Sequence, residues 1–480
     1  MGALHTEGMF TKTSPARSPP MGEVERRERR LSFNRSIRIS GGDERLSSMG
    51  GALLLRELDE RLGVTRRLCA ALTDSRLKRR VTWSLGSQLR ARLYALAAGY
   101  GAQRDAAALA GDPVLRLSSS DRRGVVPLRE GLMSQPTLAR LQRMLGLQEN
   151  LRALESSVFE LGLGVIRAAG AAKGAHTIDV DSMPVMSHGQ QPGSVWNDYY
   201  RGRCFHPLMI LHGETGTLLG AELRAGNVSS AQGARRFLLE KLAAFEGALG
   251  PVGCVRGDSS FASGALLSAL EKRGTAYVFR LANNPLLGKL AAPYLEVPEG
   301  ARPKQPREWV HSLSYSSRRW PKRRRVILVV QETPGELYLH HFFLVTSDKA
   351  SPPEAILAHY RQRGTSEARF GEFKSRLEPK LSCTTQGQAD SAAAWRANAS
   401  TFQLYLLADG LLHALRWLTR HKLSSDGTSL PKLARVQRWI VDVAARITIS
   451  ARRVRVHIAD SASGLWSWTL ARMGRLRPAT

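Results

Sequence analysis

Acidic residues are scarce in this chain. Its 480 residues carry 41 Asp and Glu against 70 Lys and Arg, a formal net charge of +29. A field of that sign disfavours basic partners and draws polyanions, with binding that weakens as salt rises. Cysteine is also sparse. Cys69, Cys204, Cys254 and Cys383 are dispersed and form no Cys-x-x-Cys pair. That argues against a zinc site or a disulfide framework and fits a reducing compartment. No apolar run reaches the roughly 18 residues of a helical membrane span. The first residues hold no apolar core of a secretory signal, so no membrane attachment is expected. The myristoylation-like start, Met1-Gly-Ala-Leu-His-Thr6, is read as coincidence. What is present, 43 % hydrophobic residues in a chain long enough for more than one domain, supports a substantial core.

Composition and periodicity divide the chain. Residues 1–33 are rich in Pro, Ser, Arg and Gly, which predicts a disordered basic arm. Residues 34–150 read as helical: Leu53, Leu54, Leu58 and Leu62 recur at helical spacing, and Arg90 and Arg92 interleave with Leu85, Leu89, Leu93 and Leu96. Ser134 reads as an N-cap, with Pro136 in the first turn of a helix through Met144. From 174 to 283 the pattern becomes strand-like. Asp179 and Asp181 alternate with Ile178 and Val180, so both acids share one face of a strand. Phe205–His212 and Thr217–Arg224 follow as strands around a Gly213-Glu-Thr-Gly216 turn. A helix over 229–249, a strand ending at Asp258, a helix over 262–272 and a strand over Tyr277–Leu281 complete the run. Residues 284–336 read as a β-rich insertion carrying the basic cluster around Trp320. Residues 337–380 hold a strand and a helix over 353–376. Residues 381–480 read as a long helix, a shorter helix over Leu433–Ala445, and one basic edge strand over Ile447–Ala459.

The chemistry concentrates in the helix at 353–376. Tyr360, Arg363, Glu367 and Lys374 stand at offsets 0, 3, 7 and 14. On one continuous helix these project at about 0°, 300°, 340° and 320°, a single stripe roughly 60° wide. A phenol, a guanidinium, a carboxylate and an ammonium in file suit a site that handles metal and phosphate. Glu372 points to another side of the same helix.

These residues carry a family resemblance. The Tyr-(2)-Arg-(3)-Glu-(6)-Lys spacing resembles that of DDE transposases of bacterial insertion sequences. The first motif, Asp179-Val-Asp181 continuing to His188-Gly-Gln-Gln191, and the second, Arg256-Gly-Asp258-Ser-Ser-Phe261, are similar to those of one subgroup. Ser134-Gln-Pro-Thr-Leu138 resembles that subgroup's N-terminal region. The resemblance implies an α/β, ribonuclease H-like mixed sheet with flanking helices and a β-rich insertion, preceded by a helical DNA-binding domain. It implies Asp181, Asp258 and Glu367 as the catalytic, metal-binding trio, with Asp179 as an alternative first acid, because Met183 replaces the family's usual hydroxyl after Asp181. Two Mg²⁺ ions are expected, with Mn²⁺ able to substitute. Tyr360, Arg363, Lys374 and Trp320 are expected to contact DNA, Trp320 by stacking on a flipped base. The implied partners are double-stranded DNA, as terminal inverted repeats and target, and a second copy of the chain on paired ends. The implied location is the bacterial cytoplasm, at the nucleoid. A nuclease that cuts without joining, or an inactive DNA-binding relative, are the competing readings.

Overall fold

The computed structural model describes residues 45–476 apart from 188, 297–302, 384–390, 425, 428 and 452, together with 29–30, 33, 36 and 38–39. The expected arm over 1–33 lies almost wholly outside the described residues, as does His188 of the first motif. The chain forms two compact units, residues 1–45 and 46–480. In the first, Arg29–Arg30 and Arg38–Ile39 pair as short antiparallel strands.

Runs of β-branched and aromatic residues build the main sheet of the second unit. Its strands are β1 (His176–Ser182), β2 (Leu208–His212), β3 (Thr217–Glu222), β4 (Val252–Gly257), β5 (Ala276–Leu281), β6 (Arg307–Tyr315), β7 (Arg324–Glu332) and β8 (His340–Thr346). They lie in the order β6-β7-β8-β5-β4-β1-β2-β3. β4 is parallel to β1 and β5, and the remaining pairs are antiparallel. A three-strand meander therefore leads into two parallel strands, and the segment 284–336 supplies β6 and β7, which continue the same sheet. A smaller sheet, Val185–Met186, Val195–Asn197 and Gly202–Phe205, is inserted between β1 and β2.

Both faces of the sheet are covered. The helices that matter for the site are α1 (Gln148–Ala168), α2 (Ala234–Leu249), α3 (Gly264–Arg273), α4 (Pro353–Arg361), α5 (Gly364–Leu377) and α6 (Ser391–Leu423). Ile178 and Val180 of β1 join one core with Phe237 and Leu238 of α2 and Leu266 and Leu267 of α3. On the other face Ile356 and Leu357 of α4 pack on Val278, Val329 and Leu344. Phe370 and Phe373 of α5 share a core with Met209 and Leu211 of β2 and Phe402 of α6. Alternation along β1 thus turns Asp179 and Asp181 toward the side occupied by α4 and α5.

The structure fills one stretch left without a reading and corrects three sequence expectations. The stretch between 151 and 173, given no element from the sequence, contains most of α1. Its buried Leu151, Leu154, Val158, Leu161 and Val165 recur at three- and four-residue steps, the ordinary signature of a packed helix. The helix expected over 353–376 is two helices, α4 and α5. At the junction Arg363 N–H bonds the Tyr360 carbonyl and Ser366 N–H bonds the Arg363 carbonyl, tighter three-residue steps that interrupt the α ladder. The helix expected over 433–445 is a short α-turn, Leu433–Val436, followed by a π-turn, Gln437–Val441. The tail strand is a hairpin, Ala445–Ser450 with Arg453–Ile458, turned at Ala451 with φ 45°. Arg453 and Arg455 remain on its exposed face.

Candidate active site

The register of β1 against β4 sets out the site. Arg256 lies opposite Asp179 and Gly257 opposite Val180, so Asp258, the first residue past β4, emerges near the end of β1 that carries Asp181, whose carboxyl feels its charge. Gly257 is needed for this closeness. A Cβ there would sit 2.9 Å from the Phe279 ring and 3.0 Å from Val180 Cγ1. Along this shared face the two pairs of residues then differ in depth. Asp179 and Arg256 are each 1 % exposed and pair through two bonds, 2.7 and 2.9 Å. Ser366 of α5 donates its hydroxyl to Asp179, 2.5 Å, and Arg256 also donates to the His359 carbonyl of α4, 2.6 Å. A desolvated charge pair is tolerable only with such complete bonding. The network ties the α4–α5 junction to the sheet.

With Asp179 engaged in the core, Asp181 is the acid of β1 at the surface of the site. Its Oδ1 accepts from Ser182 N–H, 2.8 Å, and its other oxygen accepts from Arg363. Arg363 also donates to Glu367 in the first turn of α5. This guanidinium, 7 % exposed, bridges two carboxylates, one 17 % and one 60 % exposed. Asp258 caps the following turn, accepting from Ser260 N–H at 2.9 Å. Burial pushes the Asp181 carboxyl up to about 6, helped by the charges of Asp258 and Glu367 and opposed by Arg363 and the Ser182 N–H. Burial would lower Arg363, but Asp181, Tyr360, Glu367 and Asp258 outweigh it and hold the guanidinium charged.

The donor set is all carboxylate oxygen, which suits a hard divalent cation. Among the described residues, one trio of His, Cys, Asp or Glu has ligand atoms mutually within 4.8 Å: His176, His212 and Glu214. Asp181, Asp258 and Glu367 are set wider. Opposite ligands of one octahedral Mg²⁺ stand only about 4.2 Å apart. As placed, the three acids do not all converge within the reach of one such ion.

The other signature residues do not form one stripe. The tight junction puts Tyr360 on α4 and Glu367 and Lys374 on α5. Tyr360 is half-buried against the Val278–Leu344 core, and burial raises its phenol. Lys374 is exposed and lines a cleft of about 360 Å³ with Met183, Met186 and Glu378. Glu372 turns away, accepting from Arg416 at 2.7 Å and from Leu433 N–H at 3.1 Å. Trp320 does not present an open stacking face. It is 9 % exposed, edge-on to Tyr315, with the Arg324 guanidinium 5.0 Å over its ring. Its neighbours Arg318, Arg319, Lys322 and Arg323 are exposed. Sequence reasoning missed Arg256 and Ser366. The one available signal was spacing: Arg256 and Asp258 share a strand face two residues apart, as Asp179 and Asp181 do.

Comparison with known proteins places the chain in a family. The family described as Transposase DDE domain group 1 matches residues 29–476, and the chain belongs to it. Among solved structures, a piggyBac transposase synaptic complex with hairpin DNA is similar at 12 % sequence identity, over 88 % of this chain and 81 % of that chain, with a TM-score of 0.38. None of the curated proteins matches significantly. No helix among the described residues is long and apolar enough to cross a membrane.

Proposed function

We propose that the protein is a cut-and-paste transposase with a ribonuclease H-like catalytic core. In this reading it binds the terminal inverted repeats of its own insertion sequence, cleaves DNA at the ends and joins the freed 3′-hydroxyls to target DNA. The observation that carries this reading is that Asp258, the first residue past β4, lies close enough for its charge to act on Asp181 of the parallel neighbour β1, with Glu367 linked to Asp181 through Arg363. The meander followed by parallel strands supports the ribonuclease H-like assignment. We assign the core to 174–283 and 337–380 and DNA binding to the helical region 34–150.

Asp181, Asp258 and Glu367 would hold two Mg²⁺, or Mn²⁺ in their place. When bound, such a pair lowers the pKa of the attacking water or hydroxyl and stabilises the leaving oxygen in an in-line displacement. Arg363 orients the Asp181 and Glu367 carboxylates and places positive charge beside the scissile phosphate. Lys374, on the wall of the adjoining cleft, binds the next phosphate along the strand, and Tyr360 packs beneath that path. The buried packing of Trp320 supports a structural role for its ring, with the exposed arginines and Lys322 around it as DNA contacts. Two copies on paired ends, in the bacterial cytoplasm at the nucleoid, complete the reading.

Joining is the step that separates a transposase from a nuclease. A duplex bearing pre-cleaved ends from the DNA flanking the gene, mixed with target plasmid and Mg²⁺, is expected to yield joined products. Hydrolysis of the target without joined products would reduce the protein to a nuclease.

A further inference from the structure

We propose that His176, His212 and Glu214 form a structural Zn²⁺ site at the end of β1 remote from the acids. His176 opens β1 five residues before Asp181, about 16 Å away along the strand. His212 closes β2, and Glu214 lies in the turn that follows. The ligand atoms already converge. His176 Nδ1 is 3.0 Å from His212 Nε2, and His212 Nε2 is 3.0 Å from Glu214 Oε2. Around a tetrahedral zinc with bonds of 2.0–2.1 Å, neighbouring ligands stand about 3.3–3.4 Å apart. An opening of a few tenths of an ångström would admit the ion.

The surroundings suit a metal better than a chain of hydrogen bonds. One nitrogen of His212 faces both the His176 nitrogen and the Glu214 carboxylate, yet it can supply a single proton. Ligation through Nε2 leaves Nδ1–H to donate to Thr215 Oγ1, 2.8 Å away, which in turn lies 2.8 Å from Thr217 Oγ1. That is the usual outer support of a metal-bound imidazole. Both imidazoles are buried and held by Phe245, at 5.0 Å from His176 and 5.8 Å from His212. Glu214 is anchored by Thr177 N–H, 2.9 and 3.1 Å. It is the exposed member of the trio and borders a cleft of about 870 Å³ with Thr215, Arg369 and His413. Two imidazoles and one carboxylate select zinc over magnesium. The ion would clasp the start of β1 to the β2–β3 turn. The cysteines take no part, which is why Cys spacing gave no hint of it.

The test uses the full chain, stripped with chelator and titrated with ZnCl₂, with bound metal counted by mass spectrometry. One zinc per chain is expected. His176→Gln and Glu214→Gln should each weaken binding by more than about tenfold, and Thr215→Val by about tenfold. Asp258→Asn should leave zinc binding unchanged. Glu214 is exposed, so Glu214→Gln gives a readable result even where His176→Gln fails to fold. Three results overturn the proposal: no zinc on the wild type, equal zinc on Glu214→Gln, or zinc lost only in Asp258→Asn.

Discussion

Arg256 lies in the core behind the three acids and bonds both β1, which carries Asp181, and α4, which leads into the helix of Glu367. Arg256 neutralises Asp179 in the core and reaches the His359 carbonyl, so it positions both the strand and the helix junction. Arg256→Leu would leave a buried carboxylate unpaired, at a cost of about 3–5 kcal/mol. Removing both charges, as Asp179→Leu with Arg256→Leu, should recover most of that loss. Denaturant unfolding of the single and double variants checks this, and a single variant as stable as the wild type would show that the pair contributes little. The residue scale also shows where reading from sequence stops. Asp181, Asp258 and Glu367 stood out because the chain places them in local motifs. Arg256 and Ser366 did not, because their partner Asp179 is distant in sequence and only the β1–β4 register and the α4–α5 junction bring them to it.

At the scale of elements, most strands and helices between 174 and 380 were legible because each has its own periodicity. Asp258 follows β4 (Val252–Gly257), where the sequence placed an acid at the end of a short apolar strand. The α4–α5 break was not legible, since Gln362 and Arg363 keep helical backbone angles and only the hydrogen-bond step changes. Nor was the joining of β6 and β7 to the main sheet, which rests on non-local pairing. One ion cluster anchors that extension. Glu271 of α3 accepts from Arg324 of β7 (2.8 and 3.1 Å) and from Tyr277 (2.8 Å), with Lys322 at 3.0 Å. Burial alone would raise Glu271, but those bonds outweigh it and hold it at about 2, below its ordinary 4.5. A carboxyl depressed by folding stabilises fully above its unfolded value and loses that contribution as pH falls through the folded one. The Glu271 contribution is therefore present above about pH 4.5 and vanishes towards pH 2. Glu271→Gln should lose less stability than the wild type over that window. Parallel acid-unfolding curves for the two proteins would remove the cluster from the account.

For the whole molecule the dominant quantity is charge. A net +29 and a surface bearing Arg453, Arg455 and the arginines around Trp320 predict that DNA affinity falls steeply with salt. With 6–10 phosphate contacts, the loss between 50 and 200 mM salt would be about 10³–10⁵-fold. Equilibrium binding to a duplex at several salt concentrations measures it, and a flat dependence would mean that the basic surface does not meet DNA.

The central claim is that three carboxylates from distant parts of the chain act together on DNA. Cleavage of a duplex carrying the gene's flanking repeats, with Mg²⁺, tests it most directly for the wild type and for Asp181→Asn, Asp258→Asn and Glu367→Gln. The account predicts that each variant binds the duplex like the wild type but cleaves it at least about a thousandfold more slowly, a loss of about 4 kcal/mol of transition-state stabilisation. A folded variant of any one of the three that cleaves at the wild-type rate would contradict it.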